Sequence, residues 1–172
     1  MTFAKTFLLS LAAYVGINFL FLIISSLIGD TLDILFGVLE TAPLMILYYL
    51  FGPITILPSN SIAAIVNFDP FVLSILISGI GYLIAPLIAA ILSGRFGESK
   101  VEAFGGWLLT AAISAGMIIL ALFLSGTVET ILSLLYLTSS QITILIYVLI
   151  SFFINFVGFG FFALLVCKTE YY

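Results

Sequence analysis

The chain has 172 residues, of which 64% are hydrophobic and 7% charged, with a mean hydropathy of +1.42. Soluble domains carry about a quarter charged residues, so this composition defines a single all-α integral membrane domain with no hydrophilic block large enough for a water-soluble domain beside it. The net charge of −4, eight carboxylates against four cations, argues against nucleic acid and polybasic lipid binding.

A spanning helix needs about 20 apolar residues, at 1.5 Å each, to cross about 30 Å of hydrocarbon. Residues 6–28 meet this after one cation, Lys5, and lack a small-residue cleavage site, so they read as a retained first span. Residues 71–93, 104–125 and 142–166 are equally free of charge. Four clear transmembrane helices are therefore expected.

Residues 31–68, between the first two spans, are apolar but interrupted by Glu40, Pro43, Gly52-Pro53 and Pro58-Ser59-Asn60. They divide into arms at 32–51 and 54–68, the second short for a span and holding Pro58, Asn60 and Asn67. Irregular backbone at membrane depth is tolerated only where protein or a water-filled cavity surrounds it. The expectation is an interrupted hairpin, re-entrant or interfacial from the outer side; two further short spans is the alternative, and a single crossing is disfavoured. The first arm should be helical to about Thr41, perturbed at Pro43 and end at Gly52-Pro53, because proline removes a donor and pushes its predecessor out of the helical region.

Cytoplasmic loops collect Lys and Arg. An even number of crossings by residues 31–68 places Lys5, Arg95, Lys100 and Lys168 on one side, so both termini are expected to be cytoplasmic, with Asp30, Asp33, Asp69 and Glu129 outside. A single crossing would strand Lys5. Pro86 should kink the second span. The loop beyond it offers Arg95, Glu98, Lys100 and Glu102, either an ordinary tight turn or a docking loop for a cytoplasmic partner. Residues 131–137 read as a short helix on the outer surface.

Each clear span carries polar or small residues at four-residue spacing, which places them on one helix face: Ser10, Tyr14 and Asn18; Ser74, Ser78 and Tyr82; Gly106, Thr110 and Ser114; Tyr147, Ser151 and Asn155. These faces should point inward, as packing contacts or as the lining of a solute path. Asn18 and Asn155 lie near their helix midpoints and are expected to bond each other, a contact worth about 0.6 kcal/mol on average.

The sequence has no histidine and one cysteine, Cys167. Histidine-based haem ligation and proton relays, Ser-His-Asp hydrolysis, thiolate zinc and iron–sulfur centres are thereby excluded, as is an internal disulfide. No lysine lies within a span and the aspartates cluster at span ends, so neither a Ser-Lys dyad nor an intramembrane aspartyl pair is expected. No catalytic residue, cofactor or metal is expected.

Glu40 is the one ionisable residue placed to enter the membrane, which makes it the candidate for proton or cation coupling. On a surface-lying helix it would instead share a wet face with Asp33 and Gly37. The favoured reading is a non-catalytic, membrane-embedded subunit or scaffold that packs against other membrane proteins or itself within the lipid bilayer. The alternative is a small transporter or solute-binding membrane component using Glu40.

Overall fold

The computed structural model describes residues 3–66 and 71–167. Asn67, Phe68, Asp69 and Lys168 lie outside the described residues. Four helices are long and apolar enough to cross a membrane: α1 (Phe3–Ile28), α5 (Leu73–Phe96), α6 (Lys100–Leu124) and α8 (Gln141–Val166). Between α1 and α5 lie α2 (Leu32–Thr41), α3 (Met45–Phe51), a 3-10 turn (Gly52–Thr55) and α4 (Pro58–Val66). Between α6 and α8 lies α7 (Gly126–Tyr136).

Serines set three of the helix starts. The hydroxyls of Ser99, Ser125 and Ser140 accept the backbone N–H groups of Glu102, Val128 and Thr143, at the first turns of α6, α7 and α8. This satisfies donors that a helix start otherwise leaves bare.

α1 and α5 are antiparallel neighbours. The Thr6 hydroxyl donates to the Phe96 carbonyl (3.2 Å) at one end, and Ser25 meets the Ser78 hydroxyl (2.7 Å) and the Ser74 carbonyl (2.9 Å) at the other. Small residues permit close helix approach in hydrocarbon, where dispersion replaces the hydrophobic effect as the driving force. A Cβ at Gly81 would fall 2.5 Å from Phe21, one at Gly106 2.5 Å from Ser93 Oγ, and one at Gly94 2.2 Å from the Ala163 carbonyl oxygen. α5 continues through Pro86 as one helix.

Because α1 ends and α5 begins at the same end of the bundle, residues 31–66 enter and leave there. α4 packs against that end of α5, with Ser61, Ala64 and Ile65 around Gly79. The turn between the arms lies beside Asn18 and Asn155, at mid-bundle. Within the bundle the segment is therefore a bent hairpin that enters and leaves at one end.

The first arm breaks where expected: α2 stops at Thr41, before Pro43, and α3 ends at Phe51, before Gly52-Pro53. Gly52-Pro53 does not turn the chain; it tightens the helix into a 3-10 turn. The 93° bend between the arms follows Thr55. α7 begins earlier than residue 131 and buries Val128 and Leu132 in the core rather than lying wholly on the surface.

Candidate functional site: the hairpin tip and its chamber

One proline and one break in the helix create a local deficit of donors at the tip. Pro53 cannot supply an N–H to the Tyr49 carbonyl one turn earlier, and Ile56 is extended (φ −95°, ψ 122°), so the chain leaves the helix before any N–H can return to Ile54. In hydrocarbon each bare carbonyl would cost several kcal/mol (about 2–7 for an unpaired amide group). Surrounding helices fill both gaps. Asn18 Nδ2 of α1 donates to the Tyr49 and Leu50 carbonyls. Asn155 Nδ2 of α8 donates to Ile54 (3.1 Å) and Ile56 (3.0 Å).

The other tip carbonyls are taken as well. Tyr14 Oη donates to Phe51 (3.1 Å) and Tyr136 Oη to Thr55 (2.8 Å). Within the tip, Thr55 Oγ1 donates to Gly52 (2.7 Å) and the Ile56 N–H to Pro53 (3.1 Å). Every carbonyl from Tyr49 to Ile56 thus has a donor, drawn from three helices and the tip itself. Burial pushes the Tyr136 hydroxyl above its ordinary titration range, which keeps it a donor.

The expected bond between Asn18 and Asn155 is absent. Each amide instead serves one side of the tip, which stands between them. Both are buried, as are Tyr14, Thr110, Ser114 and Ser151. Thr110 Oγ1 donates to Ser10 Oγ (3.0 Å), and Ser114 donates back to the Thr110 carbonyl (2.8 Å). Tyr147 is 43% exposed and stacks on Tyr136 at 5.1 Å. Trp107 anchors the core beside the tip, its indole N–H on the Phe156 carbonyl (3.0 Å) and its ring near Tyr14 and Phe159.

Ser78 and Tyr82 of α5 face a small chamber of about 30 Å³ beside the tip, lined also by Asn18, Phe21, Leu22, Tyr48, Tyr49, Gly52 and Gly81. Glu40 is elsewhere. It is exposed near the end of α2, at the hairpin mouth, and Asp33 on the same helix is exposed as well. Arg95, Glu98 and Lys100 are exposed at the opposite end of the bundle, with Lys5. There the Glu102 carboxylate accepts the Glu98 N–H (3.0 Å), closing the turn before α6.

Sequence reasoning missed Tyr136 and the pair Tyr48 and Tyr49. Tyr136 ends a segment read as surface helix. The available signal was the donor deficit itself: Pro53 names a carbonyl that must find a partner, and tyrosine is a side chain long enough to reach such groups.

These features define the chain as a multi-pass membrane protein, a bundle of four long apolar helices around a bent helical hairpin. Protein-family models, curated proteins and solved structures were compared with the chain, and none matches.

Proposed function

We propose that this chain is a non-catalytic, membrane-embedded component of a larger membrane assembly. The observation that supports it is the closed tip: a bent hairpin whose carbonyls from Tyr49 to Ile56 are all engaged by the protein's own donors. Carbonyls at a hairpin tip coordinate ions in channels and transporters when they are left free; here they are spent on holding the tip rigid. A rigid bundle with wide apolar outer faces suits packing against other membrane subunits. Solubilisation in mild detergent and mass spectrometry of the native complex should find a stoichiometric membrane partner. A pure small oligomer with a bound solute would overturn this.

One observation favours a second reading, solute binding or transport: the polar chamber beside the tip, at mid-bundle. On that reading Glu40 at the hairpin mouth is the coupling residue, and Glu40→Gln abolishes an ion- or pH-dependent uptake in proteoliposomes while leaving assembly intact. Unchanged uptake would remove Glu40 from the mechanism.

A further inference from the structure

The chamber joins two elements that the hairpin geometry otherwise keeps apart. Tyr48 and Tyr49 reach it from α3, and Tyr82 from α5, while α3 itself packs chiefly on α6 and α1. Two of its polar walls are already committed: the Asn18 amide to the tip carbonyls and the Ser78 hydroxyl to Ser25. The three phenol hydroxyls are not. None has a hydrogen-bond partner among the described residues, and none is sealed into the packing, since Ser61 Oγ is the one fully enclosed side-chain atom there without a partner.

We propose that this chamber binds one neutral, hydrogen-bonding molecule of the size of water, held by the hydroxyls of Tyr48, Tyr49 and Tyr82. Size supports this: the chamber measures about 30 Å³, and a site needs roughly 10–15 Å³ on this measure, with two to four polar partners, to hold a water. Charge supports the neutral form. No carboxylate, lysine or arginine lines the chamber, so an unscreened ion there would face the full cost of burial. The guest satisfies phenols that otherwise stand unpaired at membrane depth, and it bridges the hairpin to α5. Water and ammonia share this chemistry.

The sign of a thermal shift decides the matter. Tyr48→Phe and Tyr82→Phe keep each ring and remove only the oxygen. If the chamber is occupied, each substitution deletes a bond to the guest, and the melting temperature of the purified protein falls by about 2–4 °C. The double variant then falls by less than the sum, because both hydroxyls share one guest. If the chamber is dry, each removes an unpaired polar group, and the melting temperature stays or rises; that result overturns the proposal. Radiolytic labelling in oxygen-18 water supplies a direct readout, with label expected on Tyr48 and Tyr82 of the folded protein; absence of label at both tyrosines also overturns it. Repeating the melts in ammonium chloride at alkaline pH separates the sources. Stabilisation of the parent protein but not of Tyr82→Phe identifies ammonia, and identical melts in ammonium and sodium chloride identify water.

Discussion

Replacing Asn155 with leucine tests the donor accounting at the hairpin tip. The substitution nearly preserves volume and removes the amide that serves the Ile54 and Ile56 carbonyls. Neither carbonyl has a backbone donor to fall back on. Ile56 is extended and the chain bends there, so no N–H from α4 returns to Ile54, and the Asn60 N–H is used by Leu57. The third bond, to the Ser151 carbonyl, lies within α8 and its loss matters less. Two buried carbonyls left bare at about 1–3 kcal/mol each would total roughly 2–6 kcal/mol, whereas an average membrane side-chain bond is worth only about 0.6 kcal/mol. The structure favours the higher range, because protein encloses the tip on all the sides from which donors come. Reversible unfolding in mixed micelles, followed by the fluorescence of the single Trp107, measures the loss. The discriminating arm is Tyr136→Phe, which bares the single Thr55 carbonyl and should cost about 1–3 kcal/mol. A loss under about 0.6 kcal/mol for Asn155→Leu, or one no larger than that of Tyr136→Phe, would refute the reasoning.

Asn18→Leu should behave in parallel, with Pro53→Ala as its rescuing background, in the same unfolding assay. Gly94→Ala places a methyl 2.2 Å from the Ala163 carbonyl oxygen, where only backbone movement relieves it, and should destabilise by about 1–3 kcal/mol. Gly116→Ala, which meets nothing within 4 Å, should stabilise by about 0.4–1 kcal/mol; equal effects of the two alanines would show the α5–α8 contact to be looser than described. Leu137 ends α7 with φ 52° and is 91% exposed, so Leu137→Gly should raise stability by about 1 kcal/mol in thermal melts. Single cysteines at Ser99 and Asp33, in a Cys167→Ala background, should show opposite reactivity in intact cells: Asp33→Cys labelled by an impermeant thiol reagent from outside, Ser99→Cys protected. Labelling of Ser99→Cys from outside would invert the expected orientation.

The spans were legible because length and apolarity are properties of single segments. All four long helices match the expected stretches to within a few residues, and the four-residue polar spacing identifies faces on which Ser10, Tyr14, Asn18, Thr110, Ser114, Ser151 and Asn155 are buried. Partner choice was not legible in the same way. Asn18 and Asn155 have equal depth, which made each other the obvious partner from sequence, but the competing acceptors belong to a segment whose three-dimensional path no periodicity encodes. Glu40 drew attention as an isolated charge in an apolar run. Its position depends on where Pro43 stops α2, and that stop leaves it at the mouth rather than at the tip. The chamber could not be read at all, since it arises from residues of α1, α3, the 3-10 turn and α5 meeting across a gap.

The tip's donors also differ in when they exist. Tyr14 and Asn18 precede the hairpin in the chain, so the carbonyls of Tyr49, Leu50 and Phe51 have partners as soon as α3 is made. Thr55 waits for Tyr136, and Ile54 and Ile56 wait for Asn155, about a hundred residues later. During synthesis the second half of the tip must therefore remain in the aqueous or interfacial zone, or be shielded by the insertion machinery, until α8 arrives. A chain interrupted before α8 lacks the Asn155 amide and keeps the Ile54 and Ile56 carbonyls bare, two polar groups that seek water next to the bilayer.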